Sequence, residues 1–212
     1  MSMRKALILV DLQNDFCPGG ELAVPDGSEV IPLANQLMMH FDFVIATQDW
    51  HPKDHISFAS NHPKKRIGDV ITIHDQPQVL WPDHCIQNTN GARFHPQLIT
   101  DKITKIILKG TSKNIDSYSA FYDNAHQQAT GLFDYLTKHH IRSVYIMGLA
   151  TDYCVKYSVL DALKLGFHVY VIEEACRGVN IKPDDIEKAF SEMRSKGAKF
   201  IPLSDVSVST MQ

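Results

Sequence analysis

Ala6-Leu7-Ile8-Leu9-Val10-Asp11 is a short apolar run of strand length, rich in branched side chains and closed by a carboxylate. A run this apolar predicts a strand buried on both faces, as in a parallel sheet covered by helices. Further runs of the same kind follow at residues 43–47, 105–108, 143–147, 167–172 and 199–201, which makes six expected strands. Helical patterns lie between them at 28–40, 131–140, 154–165 and 183–196. The last is expected to hold Pro183 just inside its start and Gly197 just past its end. Strand–helix alternation over 212 residues implies an α/β fold: a single three-layer, doubly wound domain with a six-stranded, mostly parallel sheet. Residues 49–102 break the pattern. They are rich in His, Pro and Asn with little periodicity, and they read as an irregular, site-building insertion.

Composition narrows the function classes. With 44% hydrophobic and 21% charged residues the chain is ordinary globular protein, and a net charge of −3 supplies no basic field for nucleic acid or an anionic membrane surface. No apolar stretch approaches the ~20 residues that cross a bilayer. Cys17, Cys85, Cys154 and Cys176 are widely spaced and form no C-x-x-C pair, so reduced thiols and a cytoplasmic location are expected. Monomer and homo-oligomer both stay open.

Ligands of such sheets bind at the carboxyl ends of the strands. Asp11 follows the first expected strand, Asp49 and His51 the second, Lys109 the third, and Cys154 lies just past the fourth. Gly148-Leu149-Ala150-Thr151-Asp152-Tyr153-Cys154-Val155 is a strand-to-helix passage that puts Cys154 in the first turn of a helix. There the helix dipole is expected to lower the thiol pKa, and free N–H groups to hold an oxyanion. Asp11 supplies a base for the thiol proton, and Lys109 a charge to hold both. Asp49 and His51, two apart at a strand end, form a ligand pair. His84 is the favoured third ligand and His55 its rival. One carboxylate and two imidazoles suit zinc, iron or manganese. The other histidines among the eleven read as surface or turn residues.

The runs Asp11-Leu12-Gln13-Asn14-Asp15-Phe16, Asp49-Trp50-His51-Pro52, Trp81-Pro82-Asp83-His84-Cys85, Lys109-Gly110, Asp116-Ser117-Tyr118-Ser119-Ala120-Phe121 and the Cys154 passage together resemble the nicotinamidases of the isochorismatase-like cysteine hydrolase superfamily. The resemblance spans nearly the whole chain. It implies hydrolysis of nicotinamide in NAD salvage, with pyrazinamide as an alternative substrate. It implies Asp11, Lys109 and Cys154 as catalytic triad, and Asp49, His51 and His84 as ligands of one divalent ion, zinc first, that holds the pyridine nitrogen. It also implies a cis Leu149–Ala150 bond, an oxyanion hole from the N–H groups of Ala150 and Cys154, and a ring pocket of Phe16, Trp81 and Tyr118 with Tyr153 nearby. Water is expected to complete the metal sphere, with His55 and Ser57 as contenders. The rival reading is a relative acting on another small amide or carbamoyl compound, or on isochorismate.

Overall fold

The computed structural model describes residues 4–206. In chain order the strands are β1 (Arg4–Val10), β2 (Phe43–Asp49), β3 (Val70–Ile73), β4 (Gln76–Val79), β5 (Lys105–Lys109), β6 (Ile141–Leu149), β7 (His168–Arg177) and β8 (Lys199–Phe200). The helices are α1 (Val30–Leu37), α2 (Leu132–Lys138), α3 (Lys156–Lys164) and α4 (Asp185–Ser195). Six strands form one sheet in the order β5-β2-β1-β6-β7-β8, with every neighbouring pair parallel. All six expected strands are therefore present, and the α/β doubly wound class holds.

Burial explains the strand sequences. Ala6 through Val10 are fully buried at the sheet centre, where both faces must be apolar. β5 lies at the edge, and there Ile107 and Lys109 are buried while Ile106 and Leu108 are exposed. The helices bury one stripe each: Val30, Ile31, Ala34 and Leu37 on α1, and Ala189, Phe190 and Met193 on α4. Among the described residues no helix is long and apolar enough to cross a membrane.

Two expectations need correction. The 49–102 segment is not without regular structure, because β3 and β4 pair as an antiparallel hairpin. The segment is also tied to itself by bridges between His51 and Ile86 and between Phe58 and Trp81. Pro183 does not open α4: Asp184, at φ 69°, is the residue before the helix, so the proline lies outside it. At the other end the prediction holds, since Gly197 takes φ 107° and donates its N–H to the Arg194 carbonyl.

The central strands approach closely at Gly148, which pairs in register with Val10. Its φ is 124°, and a β-carbon there would sit 2.3 Å from the Val10 carbonyl oxygen. Gly148→Ala is expected to lose about 2–4 kcal/mol of folding stability through strain and overlap. Urea denaturation measures it, and an unchanged midpoint would show that β1 and β6 have room the structure denies them.

Candidate functional site

The sheet order places a crossover beside β1. From β1 the chain builds outward through β2 and β5, then returns to lay β6, β7 and β8 on the opposite side. A crevice at the carboxyl ends of β1 and β6 follows from this reversal. Asp11 turns out of β1 at φ 52°, and Cys154 sits in the π-helical turn Thr151–Val155 that follows β6. Asp49 and Lys109 end β2 and β5 as direct register partners.

The long Lys109 side chain crosses β2 to reach the crevice. Its Nζ lies 2.8 Å from Asp11 Oδ2, contacts Asp49 Oδ1, and donates to Ser117 O at 3.1 Å and to Cys154 Sγ at 3.3 Å. Asp11, Asp49 and Cys154 each present an atom within 4.8 Å of the others'. The three expected triad residues are thus brought together, all buried. Thr47 fixes the Asp11 carboxylate: its hydroxyl donates to Oδ1 at 2.5 Å and accepts the Asp11 N–H at 3.1 Å. That leaves Oδ2 facing the lysine.

Burial works against the charge on Lys109, but Asp11, Asp49 and Cys154 outweigh it and hold the ammonium protonated far past its usual range. Burial also pushes Asp49 up, yet Lys109, the largest opposing influence, prevails and keeps it well below the ordinary carboxylate value. Asp11 moves the other way. Desolvation together with the charge of Asp49 exceeds the pull of Lys109 and raises it. The Cys154 thiol is pushed well above its normal value, first by burial and then by Asp11 and Asp49, against Lys109. Desolvation and two carboxylates thus act against the acidification expected from the helix terminus. The resting sulfur is S–H, and the neighbouring Asp11, with its raised proton affinity, is the group to receive that proton.

Beside the triad, Asp49 Oδ2 lies 3.5 Å from His51 Nε2 and 3.8 Å from His84 Nε2. Each imidazole commits Nδ1 to a carbonyl, His51 to Gly110 O at 2.9 Å and His84 to Pro82 O at 2.8 Å. A carbonyl only accepts, so Nδ1 carries the proton and the Nε2 lone pair is directed at Asp49. Buried His51 Nε2 has no hydrogen-bond partner. A buried orphan acceptor beside a second imidazole and a carboxylate is a donor set that fits a borderline divalent cation.

His55 and Ser57 are not in that set. His55 Nδ1 pairs with Ser57 Oγ at 2.7 Å and Nε2 faces Ile115 O at 3.3 Å. Burial, then the nearby His51, push its pKa down to about 4. It is a neutral ring packed behind His51, with centroids 4.1 Å apart.

The expected pocket aromatics divide into two groups. Phe16 meets His84 edge-on at 5.5 Å. Trp81 and Tyr118 both pack on Tyr153, at 4.8 and 5.4 Å. The Leu149–Ala150 bond is cis, and Ala150 O accepts the N–H groups of Tyr153 and Val155, which winds the chain into the turn that carries Cys154.

Sequence reasoning missed the supports. Gln13 acts as a strand in miniature: its side chain accepts the Asp49 N–H and donates to Asp49 O, each at 2.8 Å. Asp15 Oδ2 accepts the Cys85 N–H at 2.6 Å and so anchors the His84 loop. Phe58 packs at 5.5 Å on His51, His55 and His84 alike. Their one signal was position, because Gln13 and Asp15 alternate with Asp11 along the same exit from β1.

Comparison with known proteins places this geometry in context. The isochorismatase domain model matches residues 5–205. A nicotinamidase of Escherichia coli is 50% identical over 205 residues, covering 95% of this chain and 96% of that protein. A solved nicotinamidase and pyrazinamidase of Acinetobacter baumannii superimposes with a TM-score of 0.93 at 47% identity, covering 97% and 99% of the two chains. A pyrazinamidase of Pyrococcus horikoshii, solved in complex with zinc, gives a TM-score of 0.77 at 39% identity and covers 94% and 99%.

Two measurements test the site. Gly110 has φ 62°, and a β-carbon there would fall 2.3 Å from His51 Cε1. Gly110→Ala is expected to displace the His51 ring and lower metal affinity by about 10–100-fold, as loss of an orienting partner does. Elemental analysis against a chelator reads this; full metal content would refute the assignment of His51. For the thiol, alkylation of Cys154 by iodoacetamide is expected to climb about tenfold per pH unit between about pH 6 and about pH 8, because the reactive thiolate is the minor form throughout. A rate already level at neutral pH would mean a preformed thiolate.

Proposed function

The chain belongs to the isochorismatase family, and within it we propose an amidohydrolase that converts nicotinamide and water to nicotinate and ammonia, with pyrazinamide as a second substrate. The observation that carries this reading is the buried contact of Lys109 with Asp11 and Cys154, built beside the Asp49, His51 and His84 cluster. The similarity to nicotinamidases over nearly the full chain supports the substrate. We read the 49–102 segment as the metal-site insertion of one catalytic domain. The four cysteines, buried and free, suit a reducing cytoplasm.

Asp11 takes the proton of the Cys154 thiol, and the sulfur attacks the amide carbon. Negative charge moves from the carboxylate to sulfur and on to the carbonyl oxygen, with Lys109 in contact with both of the protein groups. The N–H groups of Ala150 and Cys154 are assigned to the oxyanion. Asp11 returns the proton to the amide nitrogen, the C–N bond breaks, ammonia leaves, and an acyl thioester remains on Cys154. Asp11 then takes a proton from water, whose oxygen attacks the thioester carbon. The C–S bond breaks, the thiol recovers its proton from Asp11, and the carboxylic acid departs and ionises to nicotinate by losing its remaining proton to solvent.

Asp49, His51 and His84 would hold the divalent ion, zinc before iron or manganese, with water completing its sphere, and the ion would supply a Lewis-acidic anchor for the pyridine nitrogen. Phe16, Trp81 and Tyr118, with Tyr153 beside them, are assigned to the faces of the ring, where flat aromatic surfaces stack favourably.

Cys154→Ala is expected to lose ammonia release from nicotinamide by about three orders of magnitude or more while the far-ultraviolet circular dichroism stays unchanged. A coupled ammonia assay checks it. Retained turnover in a folded variant would remove the sulfur from the reaction.

A further inference from the structure

The β3–β4 hairpin buries no apolar side chain fully: Ile71, Ile73 and Val79 are half-buried. Of its two four-residue strands, Gln78 alone is buried, at 3% exposure, while Val70 stands 58% exposed. A buried glutamine in an otherwise open hairpin calls for a reason, because desolvating a carboxamide is costly unless its groups are paired.

Its partners supply one. Gln78 Nε2 lies 2.8 Å from Val79 O, 3.1 Å from Asp116 Oδ2 and 3.0 Å from Tyr118 Oη. Its Oε1 faces Asn124 Nδ2 at 3.4 Å. The amide orientation is fixed independently: Tyr118 N–H donates to Asn124 Oδ1 at 3.0 Å, so Asn124 presents its NH2 to Gln78, and Gln78 turns its own NH2 to Asp116 and Tyr118. Trp81 Nε1–H donates to the same phenol oxygen at 3.1 Å. The indole and the carboxamide thus both direct N–H groups at Tyr118 Oη, the two hydrogens of the Gln78 NH2 being shared among Tyr118 Oη, Asp116 Oδ2 and Val79 O. Burial and the nearby Asp116 push the phenol pKa well up, so the ring stays neutral.

We propose that Gln78 is a positioning residue for the substrate ring: through the Tyr118 hydroxyl it locks Tyr118 and Trp81 against each other and ties the hairpin to the wall of the pocket. This rests on the assignment of Trp81 and Tyr118 to that wall. Gln78 contacts none of Asp11, Lys109, Cys154, Asp49, His51 and His84, and its one link toward them is Asp116, whose carboxylate lies near His51 and His55; it therefore acts first on how the ring is held.

The experiment is a double-mutant cycle on nicotinamide hydrolysis with Gln78→Met, Tyr118→Phe and both together, and Trp81→Ala as a separate arm. Gln78→Met is expected to raise KM about tenfold, the size one buried hydrogen bond supplies, with kcat within about twofold. Metal content and alkylation of Cys154 stay at the parent level. Tyr118→Phe removes only the shared oxygen and is expected to do the same. In the double variant the effects do not add, because the second change finds its partner already gone. Additive effects, or an unchanged KM in Gln78→Met, would overturn the inference. Should Gln78→Met fail to accumulate, Tyr118→Phe decides alone, and an unchanged KM there is equally fatal. If Trp81→Ala leaves KM unaltered, the wall assignment itself fails. A raised KM in Trp81→Ala with a normal one in Gln78→Met sinks this inference only.

Discussion

Lys109 carries its ammonium to a position with no exposure to water, where an isolated charge would cost several kcal/mol. It stays charged because Asp11 and Asp49 flank it, and in return it favours the ionised form of both carboxylates against their burial. The three groups are a single electrostatic unit that spans the ends of β1, β2 and β5. Its consequences run in both directions along the crevice. Toward β6, the cation sits against the Cys154 sulfur and stands ready for the negative charge that sulfur acquires. Toward the 49–102 segment, Asp49 uses its other oxygen to face His51 and His84.

This shared aspartate links two kinds of chemistry. One Asp49 oxygen belongs to the lysine and the other to the imidazoles, so the proposed acyl-transfer centre and the candidate metal cluster cannot shift independently. The backbone around Asp49 is correspondingly well tied. Gln13 pairs with both its N–H and its carbonyl, and Gly110 leaves room for the His51 ring close to the chain while its carbonyl accepts a hydrogen bond from Nδ1–H. Supports of this kind hold first-contact residues to the fraction of an ångström that such chemistry requires.

The strands and the residues at their ends were legible in the sequence because their signals are local. Five apolar residues followed by Asp11, or a branched run followed by Lys109, mark a buried strand and its polar exit without knowledge of any partner. The hairpin was not legible: Val70, Ile71, Thr72 and Ile73 form a short, half-exposed strand, and its mate contains Pro77, which breaks the usual strand pattern. Gln13, Asp15 and Gln78 act on groups far away in the chain, and a lone polar side chain carries no periodic sign of such a contact. The groups that oppose acidification of the Cys154 thiol were hidden for a related reason. Helix position is local and can be read, whereas desolvation and the two carboxylates arise only when four strand ends meet.

The central claim is that the sulfur of Cys154, deprotonated by Asp11 and steadied by Lys109, carries the acyl group between amide and acid. Acid-quenched mass spectrometry of the enzyme during turnover of nicotinamide tests it most directly. The account predicts a nicotinoyl adduct on the peptide that contains Cys154. Steady ammonia release with that peptide unmodified, or with the adduct on another residue, would contradict it.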